Sequence, residues 1–496
     1  MTLKAMLANL SRWWCEQPNA PAQAKRGTGT TPACAQTIPF HVSQEFQADV
    51  AAFASSMRAE YEATLKTLVD MPTVSVEPDR KGDLERAAQL ACDLLKSIGA
   101  AAEIIRTSGN PVVFGQIGND PGNKTVLIYN HLDVQPADPS EWKSEPFCMT
   151  TVDGVYSGRG TTDDKGPAMA AFFGAKYAAQ HKMAVNLKFV WEFEEEIGSV
   201  SFEEFLAANL DKLKTDVVVI ADTIWVNRDR PAIPYGLRGL QAFLFRLKTG
   251  AKDVHSGTTG GVARNPIGEL CDLIDACYDA RTGEILIPGI YDKVREPSAA
   301  ELANFVNSGF SLDAFQKAHE LSSLRTDDIE DAARLIWATP TFEVHGITGG
   351  YTGPDIKTIV PHQAEAKISL RIVPDQTPAE IVDLVTRFVH QHNPDVEVVV
   401  LDGLRPYLGE FTGPYYTAAS RAMKEAFNRD AAYTREGGSI GAALSMNEML
   451  KAPVVFLGLS LPEHGYHAIN ECFDWQQAGG GIRMFIHYFN LLAQMK

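Results

Sequence analysis

Ser157-Gly158-Arg159-Gly160-Thr161-Thr162-Asp163-Asp164-Lys165-Gly166 sets three glycines around two adjacent carboxylates and a lysine. The stretch runs directly into Pro167–Gln180, whose alanine-rich texture is that of a buried helix. A glycine-punctuated turn that opens onto such a helix can present acidic side chains at the edge of a sheet. Asp163 is therefore a candidate bridge between two metal ions. Taken alone the turn is weak evidence, because most such turns in globular proteins are only turns. Its weight comes from the sequence on either side.

Short apolar runs flank it: Val112–Gly115, Thr125–Tyr129, Leu187–Trp191, Val217–Ala221 and Val454–Leu457. Continuous runs of this kind suit strands buried on both faces, and helical stretches separate several of them. The pattern predicts an α/β domain with a mostly parallel sheet flanked by helices. Ligands of such sheets sit beyond the carboxyl ends of the strands. The polar residues after each run are Asn130-His131-Leu132-Asp133, Glu192 through Ser199 with Glu194-Glu195-Glu196, Asp222-Thr223, and Glu463 through Glu471 with His464 and His467. Singly, each has a bland reading: a structural histidine, a solvated glutamate run, an aspartate cap. Their joint occurrence at one predicted rim is much harder to obtain by chance.

Upstream, residues 1–42 form a flexible lead-in by composition, and Ser43 is the predicted N-cap of a helix through Phe46, Val50, Phe53 and Met57 toward Leu68. Leu84–Leu95 is a second amphipathic helix, ended by Gly99. After Tyr235-Gly236-Leu237-Arg238-Gly239 the texture changes. Gln241–Leu247 and Ala364–Ile372 alternate as half-exposed antiparallel strands do, with helices expected over Pro266–Tyr278 and Pro378–His390. The expected organisation is a first domain over 43–236, an inserted α+β domain over 237–405, and the rest of the first domain over 406–496.

The 496 residues, 45% hydrophobic, suffice for large cores, roughly three average domains by length. A net charge of −17 argues against nucleic acid or an anionic membrane as partner, since either needs a concentrated basic face. The seven cysteines contain no C-x-x-C pair, which points to a reducing, cytoplasmic setting rather than a disulfide framework or thiolate zinc site. No uncharged run is long enough to span a bilayer. Charge counting favours a dinuclear centre: two divalent ions carry +4, Asp163, Glu196 and Asp222 supply −3, and one hydroxide completes neutrality. Nitrogen and oxygen donors without thiolate suit zinc, or else manganese or cobalt.

The blocks His131-Leu-Asp-Val-Gln-Pro, Gly158-Arg-Gly-x-x-Asp-Asp-Lys-Gly, Glu195-Glu-x-Gly-Ser, Tyr235-Gly-Leu-Arg-Gly, His255-Ser-Gly, Ser369-x-Arg-x-Val-Pro and Glu436-Gly-Gly-Ser resemble the aminoacylase/carnosinase-type dinuclear metallopeptidases. The likeness runs in order from about Leu65 onward and is nearest to cytosolic dipeptidases. It implies a zinc-exopeptidase-like domain with an inserted lid and dimerisation domain. His131 and Asp222 would hold one metal, Glu196 and His467 the other, and Asp163 both. Glu195 would be the general base and Asp133 the carboxylate orienting His131. The Glu-Glu-x-Gly-Ser spacing settles the triple glutamate, and the family's His-x-x-Asn-Glu spacing selects His467 over His464.

The resemblance also implies a cis peptide between Asp163 and Asp164. It further implies a homodimer in which His255 reaches the neighbouring subunit's site, and a substrate carboxylate held by Arg371 with Thr358, Gly438 and Ser439. One departure stands out. Carnosinase-like relatives carry a histidine where this chain has Asp402-Gly403-Leu404-Arg405-Pro406. The expected activity is amide hydrolysis in dipeptides or small peptides, with N-acyl- or N-carbamoyl-amino-acid hydrolysis as the alternative.

Overall fold

The computed structural model describes residues 42–495. The expected flexible lead-in, apart from Val42, lies outside them. Ser43 does cap the first helix, Gln44–Ser56, its side chain accepting from Phe46 N. The helical pattern then breaks at Met57 and resumes as Arg58–Val69.

A six-stranded sheet carries the order Ala101–Ile105, Val112–Ile117, Val185–Glu192, Lys124–His131, Val217–Ile220, Val454–Phe456. The last four are mutually parallel, and the first two join antiparallel at one edge. Every residue of Val185–Glu192 is buried, as expected of a strand covered on both faces. Ala101–Ile105 has no counterpart among the predicted strands. It is half exposed at the sheet edge and lacks a continuous apolar run.

One covering helix is Lys165–Gln180, buried along nearly its whole length. It packs against Trp475–Ala493, and a Cβ at Gly174 would come within 2.6 Å of the Phe485 Cβ. Glycine there lets the two helices approach closely. Lys165, buried at the mouth of its helix, donates to the carbonyls of Leu68 and Met71 at 2.9 and 3.1 Å. These bonds fix the turn that precedes it.

A second, four-stranded antiparallel sheet has the order Thr341–Gly349, Gln363–Ile372, Gly239–Lys248, Val396–Leu404. Helices Pro266–Cys277 and Pro378–His392 close a separate core around Phe243, Phe245, Ile368 and Val385. A small sheet lies where the chain leaves and re-enters. Ala232–Leu237 pairs antiparallel with Tyr407–Leu408 and parallel with Ala432–Glu436.

The helices Ala299–Val306, Leu312–Ala318 and Ile329–Trp337 belong by sequence to the inserted stretch, yet part of their packing is elsewhere. Phe305, Phe310 and Trp337 cluster with Tyr235, and Glu301 accepts from Tyr235 Oη and Arg435 at 2.9 and 2.6 Å. The described residues fall within one compact unit. No helix among the described residues is long and apolar enough to cross a membrane.

Candidate metal centre and substrate cleft

Register aligns the rim. His131 lies opposite Glu192, and Ile220 lies opposite both Tyr129 and Phe456, so the parallel strands end nearly level. The loops beyond them converge on the turn that carries Asp163. Within that turn Gly160 has φ +87°, and a Cβ would meet Val134 Cγ1 at 2.6 Å. The peptide between Asp163 and Asp164 is cis, as the resemblance implies.

His131, at a strand end and fully buried, places Nε2 3.0 Å from Asp163 Oδ1 and 3.7 Å from Asp222 Oδ2. The other Asp163 oxygen faces His467 Nε2 at 2.9 Å, and that nitrogen is 3.2 Å from Glu196 Oε2. Two groups result: His131, Asp163 and Asp222, and Asp163, Glu196 and His467. Each offers ligand atoms within 4.8 Å of one another. Asp163 is common to both.

Asp133 ties this arrangement to the glutamate loop. Its carboxylate accepts from the backbone N–H groups of Glu195 and Glu196 at 3.2 and 3.1 Å. It also lies 3.4 Å from His131 Nδ1, whose nearer neighbour is the Asp133 carbonyl at 3.1 Å. One side chain thereby fixes both a histidine ring and the turn bearing two acids. Glu194 is turned elsewhere, accepting from Asn110 N at 2.7 Å and Ser201 N at 3.0 Å. Glu196 is steadied by Gln135 Nε2 at 2.7 Å.

The two histidines near the C-terminus part company. His464 is buried, accepts from Leu461 N at 3.1 Å and sets Nε2 3.2 Å from Asp474. His467 has φ +57° and is half exposed, leaning over the cluster. Glu471 is a further organiser whose role the motif reading did not single out. It accepts from the backbone of Gly160, Thr162 and Asp163 at 2.9, 2.8 and 3.1 Å, and from Arg159 at 3.0 Å. The signal was present in its place just after the histidine loop, but nothing local distinguishes a loop-bracing glutamate from a solvated one.

The electrostatics call for positive charge. Among the described residues only His131 and His467 make ion pairs with Asp163, Glu196 and Asp222. Burial pushes the Glu195 carboxyl well above its usual range, and the charges of Asp222, Glu196 and Asp133 add to it against the pull of His131. Asp222 is raised to about 6 by burial and by Asp163, with His131 opposing. Burial disfavours the charged form of His467. Its hydrogen bonds to Asp163 and Glu196 prevail and raise it to about 11. Carboxylates gathered out of water with two imidazoles fit divalent cations, which would supply the missing charge and leave both imidazoles neutral.

Beside this acidic rim lies a basic one. Arg371, on the strand Gln363–Ile372, donates to Ser439 Oγ at 3.0 Å, and Ser439 donates in turn to the Arg238 carbonyl. The Arg238 guanidinium donates to the carbonyls of Gly437 and Thr339 at 3.2 and 3.4 Å. Neither guanidinium makes an ion pair among the described residues. Burial and the Arg371 charge lower Arg238 to about 10, with Glu343 opposing. Gly438 is exposed in the bend just before Ser439. His255 sits on the ribbon formed by Val254–His255 and Ile359–Val360, and Thr358 immediately precedes it, its carbonyl accepting from Ser256 N at 3.0 Å. His255 is exposed, and no hydrogen bond joins Thr358 to Arg371 among the described residues.

Residues 127–490 match the model of Peptidase family M20/M25/M40. The chain belongs to this family. The chain is 32% identical over 460 residues to the Beta-Ala-His dipeptidase of Homo sapiens, covering 88% of this chain and 90% of that protein. It is 30% identical to the Cys-Gly metallodipeptidase DUG1 of Candida albicans, covering 87% and 95%. The solved structure of the di-peptidase Dug1p from Saccharomyces cerevisiae superposes with a TM-score of 0.83 at 27% identity, covering 90% of this chain and 99% of that one.

Proposed function

We propose that the protein is a zinc-dependent dipeptidase, acting as a homodimer in a cytoplasmic setting and cleaving a small peptide that bears a free carboxylate. The observation that carries this reading is Asp163, whose two oxygens face two separate histidines. His131 and Asp222 would hold one ion, Glu196 and His467 the other, and Asp163 both. When bound, two such ions lower the pKa of water and polarise a carbonyl.

The chain's own groups do the remainder. Glu195 takes the proton of the attacking water and returns it to the departing amine nitrogen. Asp133 holds the His131 ring and the Glu195 backbone in place. Arg371, with Ser439, Gly438 and Thr358, grips the substrate carboxylate and sets the scissile bond beside Glu195. His255, exposed on its own ribbon, donates to the developing oxyanion of a second subunit. We assign 43–236 and 406–496 to the domain bearing the metals and 237–405 to the lid. The described cysteines are all free, in keeping with a reducing compartment.

The test uses chelated protein reconstituted with zinc, manganese or cobalt, assayed on free dipeptides and on their N-acetylated counterparts, with Glu195→Gln as control. Metal-dependent cleavage of the free dipeptides, lost in the control, is the expected outcome. Turnover of only the blocked compounds would instead make the protein an N-acyl- or N-carbamoyl-amino-acid amidohydrolase.

A further inference from the structure

Asp133 holds His131 and the glutamate loop, and leaves Asp222 and His467 to other means. A metal-binding imidazole is usually fixed through its second nitrogen, by a carboxylate or a carbonyl. His131 follows that rule, with Nδ1 3.1 Å from the Asp133 carbonyl. His467 does not. Its Nε2 faces Asp163 and Glu196, and its Nδ1 has no hydrogen-bond partner among the described residues. The loop carries it on backbone of positive φ, +57° at His467 and +59° at Asn470. The ring instead lies against its neighbour Tyr466, with centroids 5.4 Å apart and planes 26° from parallel.

The same tyrosine reaches Asp222. A phenol keeps its proton at neutral pH, and that of Tyr466 donates to Asp222 Oδ1, while Oδ2 is the oxygen that lies 3.7 Å from His131. Among the described residues this phenol is the only hydrogen-bond donor to the Asp222 carboxylate. Tyr466 is half-buried although the three residues after it are exposed. An aromatic ring drawn inward needs a partner for its hydroxyl. Here the partner belongs to one ligand group and the stacked imidazole to the other.

We propose that Tyr466 is a positioning residue for both metal groups, its hydroxyl fixing Asp222 and its ring face fixing His467. This rests on the reading of the rim as a metal centre and is independent of which substrate is cleaved. The phenol occupies one oxygen of Asp222 and so keeps the other turned toward His131 and Asp163. The stacked ring limits rotation of His467, which no hydrogen bond at Nδ1 does. Hydroxyl and ring are separable by substitution, so the two groups should respond separately.

Zinc affinity, measured by competition with a chromophoric chelator, is the test, on metal-free protein whose melting temperature is recorded first. In the otherwise native chain Tyr466→Phe keeps the ring and loses the hydroxyl. It should weaken one of two zinc equivalents by about 10- to 100-fold, the usual cost of losing a partner behind a ligand, and spare the other. Two backgrounds say which: His467→Ala leaves His131, Asp163 and Asp222, and Asp222→Ala leaves Asp163, Glu196 and His467. Tyr466→Phe should weaken zinc only in the first. Tyr466→Leu, which removes the ring as well, should also weaken it in the second, by about 2- to 10-fold, the worth of an aromatic contact. Equal weakening of both equivalents by Tyr466→Phe, or a lower melting temperature with zinc affinity intact, would make Tyr466 a brace of the loop and overturn the proposal. Unaltered zinc affinity with a fall in kcat would place the hydroxyl on the substrate and overturn it too. A wild type that binds no zinc would count against the metal centre itself, and the role of Tyr466 would go with it.

Discussion

The acidic rim and the basic clasp beside it are built by opposite means. At the rim, Glu196 and Asp222 come from loops that follow parallel strands and Asp163 from the turn before the helix Lys165–Gln180, and two imidazoles are their only ion-pair partners among the described residues. At the clasp, Arg238 and Arg371 approach one another with no carboxylate paired to either, held by carbonyls and a serine. Each region is electrostatically incomplete. On the proposed function, cations would complete the rim and a substrate carboxylate the clasp. On that reading, this difference means that the cleft would orient its substrate by charge before any side-chain pocket is involved.

The hardest blow to this division of labour is at the rim. Glu195→Gln should lower kcat by about 10²–10⁴-fold with metal content intact, because the amide keeps the shape and loses the base. Glu194→Gln should instead leave kcat within a few fold and lower the melting temperature, since Glu194 serves Asn110 and Ser201. If the two variants exchange phenotypes, the base is misassigned by one residue. Paired kinetics and thermal melts decide it.

His464 and His467 sharpen the rim further. His467→Ala should remove one of two metal equivalents per subunit, read by metal analysis after dialysis, with activity down at least about 10-fold, the low end of what disturbing a metal's surroundings costs. His464→Ala should retain both equivalents and lose stability, since its ring joins the Leu461 backbone to Asp474. A variant at His464 that loses metal would overturn the division between these two residues.

The difference in legibility follows the same line. The strands that carry the rim are continuous apolar runs such as Val217–Ile220, and the polar residues that follow them announce themselves by contrast. The half-exposed strands Ala101–Ile105, Thr341–Gly349 and Val396–Leu404 carry mixed patterns and escaped notice. Their pairing partners, not their own composition, make them strands. The helices between Ala299 and Trp337 lie within the inserted stretch by sequence but pack on Tyr235 and Arg435, a long-range contact that periodicity cannot carry. Arg238 was visible only as part of Tyr-Gly-Leu-Arg-Gly. That it faces Arg371 depends on how the small sheet of Ala232–Leu237 abuts the inserted one, which is a tertiary fact.

At the clasp the expected effects are smaller. Arg371→Met should reduce kcat/KM for dipeptides by about 10- to 100-fold, mostly through KM, as expected when a charged hydrogen bond to a carboxylate is lost. Dipeptide amides, which lack the anion, should be cleaved equally by wild type and variant. Equal losses on acid and amide substrates would mean that Arg371 supports the lid rather than the ligand.

Arg238 is the finest test, because two effects oppose each other there. Its charge repels Arg371, and removing it relaxes that strain; its charge also attracts a carboxylate, and removing it weakens the clasp. An incoming anion meets both cations at once in a site sheltered from water, where screening is weak. The attraction should therefore prevail, and Arg238→Met should lower kcat/KM for dipeptides by about 3- to 10-fold, on the order of 1 kcal/mol. The substitution also strips donors from the carbonyls of Gly437 and Thr339, so a fall in activity alone says little. The ratio of acid to amide turnover isolates the charge: it should drop in the variant and stay unchanged if Arg238 only braces the turn before Ser439.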